Sequence, residues 1–187
     1  RSGVVAMGSS FDTMGVLTNH VADVGHIFNI TAGKDPLDST TVERADSYVL
    51  PQHPKSLKGV QAAVIKEYMA EGIDPSVKTV IETAVDELRA AGAEIHEISI
   101  PLLKKALGAY YILVPAEVSS NLARHDGIRY GYSSPDATNL EETYVLSRQQ
   151  GFGAEAKRRI MIGTYVLSSG YYDAYYRRAS QVRTLIR

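Results

Sequence analysis

Between Leu57 and Ile100 the sequence spells out a strand, a helix and a second strand, and few folds accommodate that order. LKGVQAAVI, Leu57 to Ile65, is a short apolar run of the kind that parallel sheets bury. Asp74 then offers a carboxylate to cap a helix, and Pro75 suits the first helical position, where a missing N–H costs nothing. Val77, Ile81, Ala84, Val85 and Leu88 recur at helical spacing up to a stop at Gly92. AEIHEISI, Ala93 to Ile100, alternates, with Ile95, Glu97 and Ser99 directed to one side and His96, Ile98 and Ile100 to the other. The three segments make one βαβ unit, whose crossover is right-handed in nearly all proteins. The fold class is α/β.

On the N-terminal side, Val4-Val5-Ala6-Met7 is expected to be a buried strand entering a turn at Gly8-Ser9-Ser10, with Asp12 satisfying backbone donors there. Thr18 or Asn19 is expected to cap a helix over Val21 to Thr31, with Val21, Val24, Ile27, Phe28 and Ile30 as its apolar stripe and Gly33 past its end. Residues 34 to 40 form a turn-rich stretch, and Thr41 to Lys58 has no sustained period and reads as a surface connection. After Pro101 a long helix is predicted over Leu102 to Arg124, closed by His125-Asp126-Gly127. A Gly/Tyr-rich loop covers Ile128 to Ser134. Thr138 or Asn139 then starts a helix with Glu141 and Glu142 in its first turn, which ends near Gly151. From Ala154 to Arg187 the chain reads as mostly helical, bent around Ser168-Ser169-Gly170. No internal repeat or linker divides it, so the expectation is a single partial domain over 1–187.

Composition removes several chemistries. With no cysteine there can be no disulfide, thiolate metal site or Cys nucleophile. A net charge of −1 gives no global pull toward nucleic acid or membrane, and no apolar run approaches the length of a membrane helix. The charge is uneven, because Ser147 to Arg187 carries eight Lys and Arg against Glu155 and Asp173, and ten of the twelve tyrosines lie at or after Tyr110. The chain starts at Arg1 without an initiator Met and reaches Arg187 with helical apolar spacing still running, which leads us to expect a piece of a longer polypeptide.

Candidate chemistry is correspondingly narrow. There is no Gly-rich phosphate loop after a strand, no HExxH and no Cys/His zinc set. His20 and His26 are six apart and do not share a helix face, and adjacent His125 and Asp126 do not face each other on a helix. Ser9 and Ser10 have no base in view. What remains is a ligand wall over Gly151 to Tyr176, where an arginine fork, Arg158 or Arg159, could grip a carboxylate and tyrosine hydroxyls could orient a polar group. Against that stands the simpler possibility that Lys157-Arg158-Arg159 is a solvated helix face, and that the tyrosines are packing residues. A further alternative is a free-standing basic, Tyr-rich RNA-binding or interaction module.

The strings GVVAMGSSFDTMG, DPLDST, KEYMAEGIDPSVK, AYYILVPAEVSSNLARHDGIRYGY and GFGAEAKRRIMIGTYVLSSGYYDAYYRRASQVRTLI resemble the amidase signature family, and within it the glutamine-hydrolysing A subunits of tRNA-dependent amidotransferases. The resemblance covers essentially the whole chain. It implies a mixed β-sheet flanked by helices, with a largely helical C-terminal segment. It also implies amide hydrolysis by a serine that a lysine activates through a bridging cis-serine. The motifs that carry both serines, GGSSGG and DTGGS, do not occur in these 187 residues, so no catalytic residue is assigned to the chain. The surroundings of Ser9-Ser10 match a later structural turn of the family. By position in the matching strings, Tyr110 and Arg159 resemble the residues that contact bound glutamine, the arginine pairing with its α-carboxylate. Tyr111 and Arg158 are the adjacent alternatives, and the acidic residue for the α-amino group is expected beyond Arg187. The resemblance further implies partnership with B and C subunits, tRNA handled mainly by the B subunit, no metal in this chain, ATP and Mg²⁺ used by the complete complex, and a cytoplasmic location without membrane attachment.

Overall fold

The structure, a computed structural model, describes residues 3–44, 46–48, 56–70 and 72–187. These fall into two compact units, one formed by residues 15–104 and the other by 3–14 together with 105–187.

The first unit is built on the βαβ element. Strand β1, Gln61–Ile65, pairs in parallel with β2, Glu94–Ile98, in the register Gln61↔Glu94 to Ile65↔Ile98. The sheet that the resemblance implies is therefore represented among the described residues by one parallel pair. β1 starts four residues later than predicted, because Leu57 to Val60 closes a turn (Val60 N–H to Leu57 C=O, 3.0 Å) with Gly59 at φ 86°. Between the strands runs α2, Pro75–Ala90, begun as the sequence indicates: Asp74 Oδ1 accepts from Ser76 N–H at 2.8 Å, and Pro75 occupies the first position. A cap of this kind contributes about 1 kcal/mol. Ile81 and Val85 of α2 and Ala62, Val64, Ile65 and Ile95 of the sheet are half-buried, whereas Val77, Leu88 and Ile98 are exposed. Glu67 ties the end of β1 to the end of β2 by accepting from Ser99 Oγ (2.6 Å) and Ile100 N–H (2.9 Å), and these bonds hold its carboxyl below the usual range.

Helix α1, Val21–Thr31, has the predicted bounds, but its cap differs. His20 is the capping residue and supplies no side-chain bond, while Thr18 Oγ1 donates to the His20 carbonyl instead (2.7 Å). The expected apolar stripe is presented rather than buried: Val21, Ile27, Phe28 and Ile30 are exposed, and Gly25 is the buried residue of the helix. Part of this face meets the connection that follows. Asn29 exchanges two hydrogen bonds with the backbone of Tyr48 (2.6 and 2.7 Å), Phe28 meets the Tyr48 ring edge-on, and the Arg44 guanidinium lies over Phe28 at 4.9 Å. Residues 45 and 49–55 of that connection lie outside the described residues. His20 and His26 are both exposed.

The second unit is helical. The predicted helix over 102–124 is continuous in outline: α3, Ala106–Asn121, is flanked by tighter turns at Pro101–Lys105 and Leu122–Arg124. Helix α4, Leu140–Gly151, is capped by Asn139 Oδ1 accepting from Glu142 N–H (2.9 Å). It is followed by α5, Ala154–Leu167, a turn at 168–172, a π-helical turn at Asp173–Arg177 and α6, Arg178–Ile186. Two small apolar clusters hold these helices. Ala109, Leu113 and Ala179 join α3 to α6, while Val114, Val118 and Leu122 pack with Phe152, Ala156 and Ile160, and Phe11 touches both clusters. The expected buried strand at Val4–Met7 is absent: Val4 and Val5 are 58% and 59% exposed, and no described strand lies beside them to supply backbone partners. The turn beyond them is as predicted, with Asp12 accepting from the N–H groups of Met7 (2.9 Å) and Gly8 (3.0 Å).

Candidate functional site

The second unit places Tyr110 and Arg159 together from different helices. What allows it is a close approach of α3 and α5 at Gly163, four residues after Arg159. A Cβ there would lie 1.9 Å from the Pro115 carbonyl oxygen and 2.8 Å from Ser119 Cβ, so only glycine lets the two backbones meet. Pro115 sits inside α3 and has no N–H, which leaves the Tyr111 carbonyl without its helical donor.

Arg159 is held by its own helix. Its Nε donates to Glu155 Oε1 at 2.9 Å, one turn earlier, and Arg158 Nη1 shares the same carboxylate through Oε2 at 3.2 Å. The two arginines differ in setting: the Arg159 side chain is 23% exposed and that of Arg158 70%. The phenol of Tyr110 lies beside the Arg159 guanidinium. Together Tyr110 and Glu155 raise its pKa further above the ordinary arginine value, Tyr110 being the larger cause and Glu155 the second. With Nε committed to Glu155, the terminal amino groups keep donors that an incoming anion can use. A partly exposed, charge-fixed guanidinium beside a phenol can take a carboxylate in a forked, charge-assisted pair while the hydroxyl orients a neighbouring polar group. Of the cation run, Lys157 and Arg158 form the solvated face and Arg159 does not.

Tyr110 is itself walled. The Phe11 ring meets it edge-on at 6.4 Å and 87°, and Tyr111 at 5.3 Å and 78°. Tyr111 is more exposed, 54% against 40%. The tyrosines between 165 and 176 correct the packing expectation in one respect: they pack on one another, and of them Tyr176 also lies against the Ala109, Leu113 and Ala179 cluster. Tyr165, Tyr171 and Tyr175 cluster with centroids 4.2 to 6.5 Å apart while remaining exposed, and Tyr172 stacks on Tyr176 at 5.0 Å. Tyr171 beside it pushes the Tyr165 hydroxyl up to about 12.

The other candidates resolve as structural groups. Ser10 N–H donates to Glu117 Oε2 at 2.9 Å, its hydroxyl also donates to Glu117, and Arg183 donates to its hydroxyl and carbonyl (2.8 and 3.0 Å). Ser9 Oγ donates to Asn121 (3.2 Å). Asp126 turns away from catalysis by accepting from the Ile128 and Arg129 N–H groups (2.9 and 3.1 Å), which lower its pKa, with Gly127 at φ 80°. His125 packs edge-on against Phe152, and its Nε2 is buried without a partner beside a cavity of about 260 Å³. Among the described residues no group of His, Asp or Glu could hold a metal ion, and no helix is long and apolar enough to cross a membrane. Sequence reasoning missed Glu155 as the anchor of Arg159, although its four-residue spacing was available, and missed Phe11 and Arg183, for which no local signal exists.

Comparison with known proteins decides the family, since the amidase family model matches residues 1–187. The chain belongs to the amidase family. Within it, this amidase chain is 49% identical over its whole length to the A subunit of the glutamyl-tRNA(Gln) amidotransferase of Fusobacterium nucleatum subsp. nucleatum, and 50% identical to that of a Sulfurihydrogenibium strain, covering 38% of each. The amidase chain thus spans well under half the length of the curated relatives it matches. In fold it is similar to the crystal structure of the corresponding Thermotoga maritima glutamyl-tRNA(Gln) amidotransferase chain (TM-score 0.66, 34% identity, 97% of this chain and 34% of that one). The peptide amidase of Stenotrophomonas maltophilia shares the fold at a TM-score of 0.63. These relatives lend no support to a free-standing RNA-binding module.

Proposed function

We propose that this chain is part of the glutaminase subunit of a tRNA-dependent amidotransferase and forms one wall of its glutamine pocket. The observation that carries the reading is the Tyr110–Arg159 pair with Glu155 behind it, in a chain 49% identical to proteins named for that enzyme. Arg159 binds the glutamine α-carboxylate, and Tyr110 orients the substrate beside it. The nucleophilic serine, cis-serine and lysine come from sequence outside these 187 residues, as does the carboxylate for the α-amino group. In the whole enzyme the serine attacks the side-chain amide, ammonia leaves, and water resolves the acyl-enzyme. The ammonia passes to a B subunit that amidates activated Glu or Asp on tRNA with ATP and Mg²⁺, a C subunit bracing the pair, in the cytoplasm.

Arg159→Ala in the complete enzyme tests this. Losing a charge-assisted fork costs about 1.5 to 3 kcal/mol, so the glutamine KM rises roughly ten- to hundredfold. Amidation driven by free ammonia, which bypasses the pocket, stays unchanged. Equal loss of both activities would show that Arg159 serves the fold instead.

A further inference from the structure

We propose that Arg183 is a positioning residue for the Tyr110–Arg159 pair, acting through the ring of Phe11; the inference rests on the glutamine-pocket reading above. Tyr110 projects from α3 with 40% of its surface exposed, so helix packing alone leaves its ring room to swing away from Arg159. Tyr111, its chain neighbour, meets the ring on one side at 5.3 Å, and the wall contributed from outside the helix is Phe11, whose ring stands edge-on to Tyr110 at 6.4 Å and 87°. Phe11 comes from a turn more than ninety positions earlier in sequence, and something must hold that turn in place.

Arg183 does so in three ways at once. Its guanidinium lies 4.2 Å from the Phe11 ring centroid, a cation–π contact over the ring. Its Nη1 donates to Ser10 Oγ at 2.8 Å and its Nη2 to the Ser10 carbonyl at 3.0 Å, a fork that grips the residue immediately before Phe11. Glu117 of α3 completes the clamp from the other side, accepting from Ser10 N–H at 2.9 Å and from the Ser10 hydroxyl. Ser10 Oγ therefore accepts from the arginine and donates to the carboxylate, which uses its single proton and one lone pair without conflict. Asp12 closes the same turn internally through Met7 and Gly8. The path runs from α6 through the turn to α3: Arg183 fixes Ser10 and Phe11, Phe11 backs Tyr110, and Tyr110 faces the guanidinium of Arg159. An arginine is required because a lysine can donate to Ser10 or sit over the ring but cannot present a planar fork to both.

The experiment uses Arg183→Gln in the complete enzyme. The expected result is a glutamine KM raised about fivefold, in keeping with the loss of one cation–π contact and its fork, with kcat within about twofold of the parent and ammonia-driven amidation unchanged. Arg183→Lys should fall between the two. Because the effect passes through Tyr110, Arg183→Gln should add less than about twofold in a Tyr110→Ala background, whereas a general loosening of the fold would add in full. Should Arg183→Gln lower the folded fraction, Arg183→Lys supplies the same KM, kcat and background comparison. An unchanged KM in Arg183→Gln, or full additivity with Tyr110→Ala, while Arg159→Ala still raises KM, overturns the role of Arg183 and leaves the pocket standing. An unchanged KM in Arg159→Ala overturns the pocket itself, and the role of Arg183 with it.

Discussion

Arg158 and Arg159 share one carboxylate, and their different exposure is what separates a solvated charge from a binding group. Nothing in the string KRR distinguishes the two; the distinction comes from which side of α5 faces α3, and that is fixed by Gly163. The four-residue step from Glu155 to Arg159 could have been read from spacing, as Glu142 in the first turn of α4 was. The Glu142 contact is a residue-scale switch with a definite sign. Its carboxylate accepts from Thr138 Oγ1 (2.7 Å) and Thr138 N–H (2.8 Å), and chiefly the hydroxyl bond lowers its pKa below the ordinary glutamate value of 4.5. A carboxyl with a depressed folded pKa contributes its full stabilisation above the unfolded value and loses it as pH falls through the folded value. Thermal unfolding of the protein and of Glu142→Gln should therefore differ near neutral pH and converge as the pH drops below 4.5. A gap that stays constant through that acid range would assign the difference to shape rather than charge.

At the scale of elements, the legible parts were those whose signals are local. The start of α2 at Asp74-Pro75 and the cap of α4 at Asn139 are each written within a few residues and appear where predicted, and β2 forms inside its predicted stretch as Glu94–Ile98, with Ile95 its half-buried residue. Val4–Met7 fails for the opposite reason: an apolar tetrapeptide becomes a strand only beside another strand, and its own residues cannot say whether one is there. The α3–α5 contact is equally non-local, and it yields a paired test. Gly163→Ala would drive a Cβ into the Pro115 carbonyl, so the helices must separate, at a cost of about 2 kcal/mol or more. Gly108, exposed on α3 with open space around its Cβ position, is the control, and Gly108→Ala should stabilise by up to about 1 kcal/mol through helix propensity. Denaturant midpoints moving in opposite directions for the two variants is the expected outcome. A Gly163→Ala midpoint within error of the parent would mean that α3 and α5 do not meet backbone to backbone.

For the molecule as a whole, the amidase strings announced the family more securely than any single element did, because the match runs along all 187 residues rather than resting on one helix or strand. The chain covers 38% of its relatives, displays one arginine–tyrosine wall, and contains neither Gly/Ser-rich motif. Acyl transfer needs a nucleophile and an activating base within reach of the amide carbon, and one wall can bind without supplying either. The serines of the Gly8–Asp12 turn are already committed elsewhere, Ser9 to Asn121 and Ser10 to Glu117 and Arg183. On the reading proposed above, the 187-residue chain incubated with glutamine should release no ammonia above the uncatalysed rate, whereas an enzyme that also carries both Gly/Ser-rich motifs should release it. The decisive comparison is a coupled ammonia assay on both proteins with Ser9→Ala and Ser10→Ala variants of the short chain. Turnover by the short chain that disappears in either variant would place the nucleophile in the Gly8–Asp12 turn and overturn the assignment of catalysis to residues outside it.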